Sequence, residues 1–134
     1  MNSPRLPPSV RLKVQQIRRK ADGLMQYAKD FPVGSEELYV VQATTTDYLP
    51  ATLQAYLRIP GGTENTPVTD DGKTPWQVLW EQLTLIEGKL DEMALNLQHR
   101  NSEQLVANGQ FLRERLQQAS DDFDLARKRG PEEK

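Results

Sequence analysis

His99 is the single histidine of this 134-residue chain, and there is no cysteine. These two counts remove disulfides, thiolate zinc sites, iron–sulfur clusters and a Cys nucleophile from consideration. His99 lies between Gln98 and Arg100, where the apolar rhythm of its segment fails, and is expected to be exposed. No His-based metal site or triad can be assembled around it, and no Glu-x-x-His pair of the di-iron bundle type is present. Glu87, Asp91 and Glu92 stand at helical spacing, the arrangement from which two carboxylates share acid–base work. Lys89 stands among them, and a solvated helix face is the plainer reading. Asp70, Asp71 and Gly72 echo a calcium loop but lack its regular spacing and twelfth-position carboxylate. Gly61-Gly62 lacks the Lys-Ser/Thr that follows a phosphate cradle. No catalytic residue, metal or cofactor is expected, and no small-molecule substrate.

What remains is surface chemistry. Net charge is −2, yet residues 1–29 carry seven basic side chains against Asp22 alone, a net +6, so the remainder carries −8. Arg11, Lys13, Arg18, Arg19 and Lys20 could therefore meet an anionic surface. On a helical projection Val10, Val14, Ile17, Ala21, Leu24 and Ala28 form one stripe. Arg11 and Arg18 flank it on one edge, Lys13 and Lys20 on the other, and Arg19 points away. The charge surrounds the helix, as on an ordinary solvated surface. Trp76 and Trp80, four residues apart, either cap a core or anchor an interface. Leu12, Tyr27 and Val106 are further candidate contacts.

The elements that must position these groups are helices. The series from Val10 to Ala28 alternates steps of four and three, the seam of a helix packed on helices. Ser9 is its expected N-cap, and "DFPVGS" (30–35) its stop. Ser35 caps a second helix, whose Leu38, Val41, Thr45, Tyr48/Leu49, Leu53 and Tyr56/Leu57 trace a buried side. A 15-residue loop rich in turn formers follows, over 60–74. "TPWQ" then opens a third helix with Thr74 as N-cap, Pro75 in the first position and Gln77 closing a capping box. Leu79, Leu83, Ile86, Leu90, Met93 and Leu97 keep a strict 4-3 rhythm. It breaks over 98–104 and resumes out of phase at Leu105, Leu112 and Leu116, with Phe111 alongside. One helix with a stutter accounts for this, and so does a short break near 99–104. The expected fold is all-α, a three-helix bundle with a long third helix. A single domain over 9–127 is expected, with helices at about 9–30, 35–59 and 75–126, between flexible ends at 1–8 and 128–134. No apolar run approaches the roughly 20 residues of a membrane-spanning helix. A cytoplasmic protein is expected, with peripheral attachment at the inner membrane face as the alternative.

Pro50 poses the sharpest local problem, since inside a helix it removes the bond to the Thr46 carbonyl and crowds it, at about 3 kcal/mol. Either the helix is continuous and kinked, or it restarts at Asp47 with Pro50 in its first turn. The unbroken apolar seam favours the kink, which would open a groove and make Tyr48, Leu49, Pro50, Leu53 and Tyr56 a partner-binding surface. The plainer alternative is a bend that only wraps the helix around its neighbour.

"DYLPATLQAYL" resembles a segment of the bacterial 5-bromo-4-chloroindolyl phosphate hydrolysis (XpaC-like) family, in which a Leu-Pro-x-Thr core lies in a helical region. The wider string, from "RLPPSVRLKVQQIRRKADGL" through "LYVV" (Leu38 to Val41), "GKTPWQVLWEQLTLIEGKLDEMALNL" and "LVANGQFLRERL", is similar to small uncharacterised helical proteins common in actinobacteria. The first resemblance implies an association with envelope and toxic-anion stress, and brings no catalytic residue to this chain. The functional expectation is a non-enzymatic helical adaptor acting on another protein or on itself. Its surface would be the Tyr48–Tyr56 region or the open end of the third helix. The alternative is peripheral binding to an anionic membrane through the basic first helix, nucleic acid being the less favoured partner.

Overall fold

Val10, Val14, Ile17, Ala21 and Leu24 are all buried along α1 (Pro8–Met25), as their 4-3 spacing requires. A 3₁₀ turn (Ala28–Asp30) follows, and then α2 (Glu36–Ala43), a π-helical segment (Thr44–Tyr48), α3 (Leu49–Leu57) and α4 (Pro75–Glu132). The structure is a computed structural model that describes residues 6–132, with side chains as far as residue 128; no strand occurs among the described residues. The fold is all-α. The π segment joins α2 to α3 without a break, so the chain forms three helical rods, the last much the longest.

Two compact units divide the chain, Met1–Leu95 and Asn96–Lys134. The first is the helical bundle. Its core gathers the α1 stripe with Phe31, Val41, Ala43, Leu49, Leu53 and Tyr56 of the second rod's neighbourhood, and with Leu79, Leu83, Leu90 and Met93 of α4. The second unit is a stretch of α4 alone and has no core of its own. The single domain expected over 9–127 thus spans both units, and past Asn101 the described side chains lie in solvent. The break considered near 99–104 does not occur, and α4 carries its change of apolar phase as a stutter within one helix.

Local chemistry accounts for most boundaries. Thr74 and Gln77 close the capping box: the Thr74 N–H donates to Gln77 Oε1 at 2.9 Å, and the Gln77 N–H donates to Thr74 Oγ1 at 3.3 Å. Ser35 accepts from the Leu38 N–H at 3.2 Å. α1 begins one residue before the expected Ser9 cap. Pro8 takes the first helical position, where its missing N–H costs nothing, and Pro7 stands in the cap position without a side-chain bond. Leu6 is buried, so the expected flexible lead-in is tied to the core at its end; residues 1–5 of that lead-in lie outside the described residues. At the other end α4 continues to Glu132, past the boundary expected at 126 and into the tail expected to be flexible. Residues 133 and 134 lie outside the described residues.

Pro50 is accommodated by an inserted π-helical residue just before it. The Leu49 N–H bonds back five residues to the Thr44 carbonyl, the π pattern, one residue before the proline. The insertion changes the register of the hydrogen bonds, so Pro50 falls in the opening turn of α3, where a donor is not needed. The threonines ease this arrangement. Thr44 Oγ1 donates to the Val40 carbonyl at 2.8 Å, and Thr46 Oγ1 to the Gln42 carbonyl at 3.1 Å. Such back-bonding loosens the regular ladder where the extra residue must fit. Thr44 is the buried polar side chain of the core, and its hydroxyl is satisfied by this bond.

Candidate functional site

The Tyr48–Tyr56 region divides by depth. Leu49, Leu53 and Tyr56 are buried in the bundle, Pro50 is half-buried, and Tyr48 alone of the five is exposed. Of the expected partner-binding patch, Leu49, Leu53 and Tyr56 therefore face the core, and Tyr48 with part of Pro50 is what reaches the surface. Tyr48 lies beside Tyr39, which is also exposed. Partial desolvation, and then the neighbouring Tyr39, hold the Tyr48 phenol above its ordinary pKa.

The basic first helix meets the acidic cluster of α4. Lys13 Nζ lies 3.2 Å from Glu87 Oε1 and 4.4 Å from the centre of the Trp80 ring. Lys20 Nζ lies 3.2 Å from Glu87 Oε2 and 2.9 Å from Asp91 Oδ1. These partners, the Asp91 hydrogen bond first, raise the Lys20 pKa against the opposing cost of burial. The spacing explains the ladder, since Lys13 and Lys20 are two turns apart on α1, and Trp80, Glu87 and Asp91 are seven and four apart on α4. Of the five residues expected to face an anionic surface, Lys13 and Lys20 are engaged within the bundle. Arg11 and Arg18 are half-buried, and Arg19 is exposed. Glu87 and Asp91 are likewise not a plain solvated face, whereas the exposed Glu92 meets only Lys89, at 3.8 Å. Trp76 and Trp80, both half-buried, stack at 5.3 Å with 10° between their planes and cap this edge of the core.

The 60–74 loop is knitted by its own turns. The Val68 N–H donates to the Lys73 carbonyl at 2.8 Å, and Lys73 Nζ reaches Glu81 at 2.8 Å. Gly62 and Gly72 take positive φ, which glycine adopts without strain. The Thr69 hydroxyl donates to Asp71, and this bond first, with Lys73 beside it, holds the Asp71 carboxyl below its ordinary pKa. Among the described residues no three acidic or His side chains converge as metal ligands would. A cleft of about 120 Å³ opens between α3, Val68 and the start of α4, lined mainly by Ala55, Tyr56, Ile59, Val78 and Leu79. It is smaller than the usual small-molecule site and offers no titratable group beyond the Tyr56 phenol.

The second unit presents a different surface. Leu105, Val106, Phe111, Leu112, Leu116, Phe123 and Leu125 are each between 46% and 71% exposed. Four of them, Leu105, Leu112, Leu116 and Phe123, fall within about 40° of one another around the helix axis. Gly109, Ala119 and Ala126 complete the series, so 105, 109, 112, 116, 119, 123 and 126 run in unbroken 4-3 steps. Large side chains alone show this rhythm only as far as Leu116, because Gly109 and Ala119 interrupt them. Carrying the 4-3 steps through small residues recovers Phe123 as a member. Val106, Phe111 and Leu125 lie off this line, and Leu12 and Tyr27 of the bundle are exposed singly.

No helix among the described residues is long and apolar enough to cross a membrane. No protein-family model, curated protein or solved structure matches this chain. The likeness of "DYLPATLQAYL" to the XpaC-like family therefore rests on those residues alone.

Proposed function

We propose that this protein is a non-enzymatic helical adaptor that works by binding protein through α4 beyond residue 101. The observation that carries this reading is the exposed line of Leu105, Leu112, Leu116 and Phe123. An isolated helix gains little from propensity, and helices in water are held mainly by covering an apolar face. A seam of 4-3 positions over three heptads, four of its seven residues large and apolar and left in water, is the mark of a surface that another helix covers. The bundle serves as the body that carries it. This reading ranks above attachment to an anionic membrane because Lys13 and Lys20 spend their charge on Glu87 and Asp91. It ranks above hydrolysis because the cleft between α3 and α4 is small and mainly apolar, whereas the exposed line of α4 is a protein-sized surface.

The test is affinity capture of the tagged chain from native extract, compared with the double variant Leu112→Glu/Leu116→Glu. A stoichiometric protein partner, a second copy included, held by the parent at physiological salt and lost by the variant, is the expected result. Equal recovery by both, or recovery only of lipid or nucleic acid and only at low salt, would overturn it.

A further inference from the structure

We infer that the α4 seam is covered by the same seam of a second copy of this chain, the two helices running antiparallel. The inference rests on the reading of α4 as a protein-binding surface, and it names the partner. Place Leu105, Leu112, Ala119 and Ala126 at the d positions of a heptad, and Gly109, Leu116 and Phe123 at the a positions. Two such helices pair a against d when antiparallel and like against like when parallel. The parallel arrangement sets Gly109 on Gly109, Ala119 on Ala119 and Phe123 on Phe123, with hollow layers beside a crowded one. The antiparallel arrangement that sets Leu116 against Ala119 also sets Leu112 against Phe123 and Gly109 against Ala126. The Leu116–Ala119 layers then join a large side chain to a small one and the Leu112–Phe123 layers two bulky ones of different shape, so like bulky residues never meet, and the small Gly109–Ala126 layers fall at the ends where the helices can approach closely.

Charge selects this register over its neighbour. Flanking the seam at g are Asn108, Arg115 and Asp122, and at e are Val106, Arg113, Ser120 and Arg127. The chosen register brings Arg115 of each copy beside Asp122 of the other, twice by symmetry. Moved by one heptad, so that Leu116 meets Leu112, the register places Arg113 on Arg113 and Arg115 on Arg115. Among the described residues Arg115 makes no ion pair, only a contact over the Phe111 ring at 5.3 Å, and Asp122 accepts from Gln118 at 3.1 Å. Both remain available to a partner. Residues 96–128 carry five basic and five acidic side chains, so net charge does not oppose self-association.

Sedimentation equilibrium of the full chain at micromolar concentration tests this. The parent is expected at twice the chain mass, Leu112→Glu/Leu116→Glu at the chain mass, and the off-seam control Phe111→Glu/Leu125→Glu still at twice. Thermal unfolding of the bundle unit should be the same in all three, which separates loss of pairing from loss of folding. Because the chain has no cysteine, orientation is read from engineered ones. A mixture of Leu116→Cys and Ala119→Cys chains should oxidise to the mixed disulfide in preference to either homodimer. A monomeric parent overturns the inference. It leaves the adaptor reading intact if the parent still retains another protein that the seam variant loses, and overturns both if it retains none. Loss of dimer in the off-seam control, or homodimeric disulfides alone, would also overturn the arrangement.

Discussion

Replacing Glu87 by Gln should remove the carboxylate that two lysines share, leaving Lys13 unpaired and Lys20 with Asp91 alone. Lys13 and Glu87 are only 11% and 16% exposed in their side chains, and lie 3.2 Å apart. At that distance and an effective dielectric near 20 the gross attraction is about 5 kcal/mol. Lost hydration and ordered side chains consume most of it, leaving about 1–2 kcal/mol net for a charged hydrogen bond in this setting. The Lys20 arm is more exposed and should add well under 1 kcal/mol. Glu87→Gln is therefore expected to cost about 2 kcal/mol, most of it from Lys13 left beside Trp80 without its carboxylate. For a cooperative unit of this size that is a fall of roughly 8–16 °C in Tm. A urea-unfolding double-mutant cycle with Lys13→Met, which keeps the apolar stem, should give a coupling of about 1–2 kcal/mol, reduced by added salt. The exposed Glu92→Gln, paired only at 3.8 Å, is the control and should change stability by less than about 0.5 kcal/mol. A coupling under about 0.3 kcal/mol would refute the claim that these lysines are consumed within the bundle and return them to the surface.

Leu53→Ala, at a fully buried position, should destabilise the bundle by about 2–5 kcal/mol in urea unfolding, whereas Tyr48→Ala should cost under about 1 kcal/mol; equal costs would sink the division by depth. Pro50→Ala should change stability by no more than about 1 kcal/mol, because the π segment already removes the penalty; a gain near 3 kcal/mol would mean that a mid-helix proline had been relieved after all. Thr74→Ala removes the cap of α4 and should cost about 1 kcal/mol by the same assay, with no change expected if the capping box is ornamental. The raised Lys20 pKa makes its stabilisation complete below the ordinary value of 10.5 and lost as pH rises through the higher folded value. The stability difference between parent and Lys20→Met should therefore shrink only in that alkaline range, and a difference that fades near neutral pH would contradict the assignment.

Periodicity and end chemistry are local properties, and they were legible. The 4-3 stripe of α1, the Ser35 and Thr74 caps, and the all-α class follow from residues within one or two turns of each other. The change of phase in α4 was legible too, but the choice between a stutter and a break near 99–104 was settled only by the continuous helix. Pro50 was legible as a problem and not as a solution. Kink, restart and inserted residue all satisfy the same local bookkeeping, and the choice falls to whichever register buries Leu49, Leu53 and Tyr56 against the rest of the core. The lysines show the same limit. Lys13 and Lys20 flank a stripe whatever the fold, but only the packing of α1 beside α4 sets them 3.2 Å from Glu87 and turns an apparent anionic-surface helix into an internal ladder. The candidate surface was half visible, since Leu105, Leu112 and Leu116 announced a seam that Gly109 and Ala119 obscured. That this seam lies in water is a tertiary fact: burial depends on what stands opposite, and a sequence pattern says which face is apolar without saying whether the chain itself covers it.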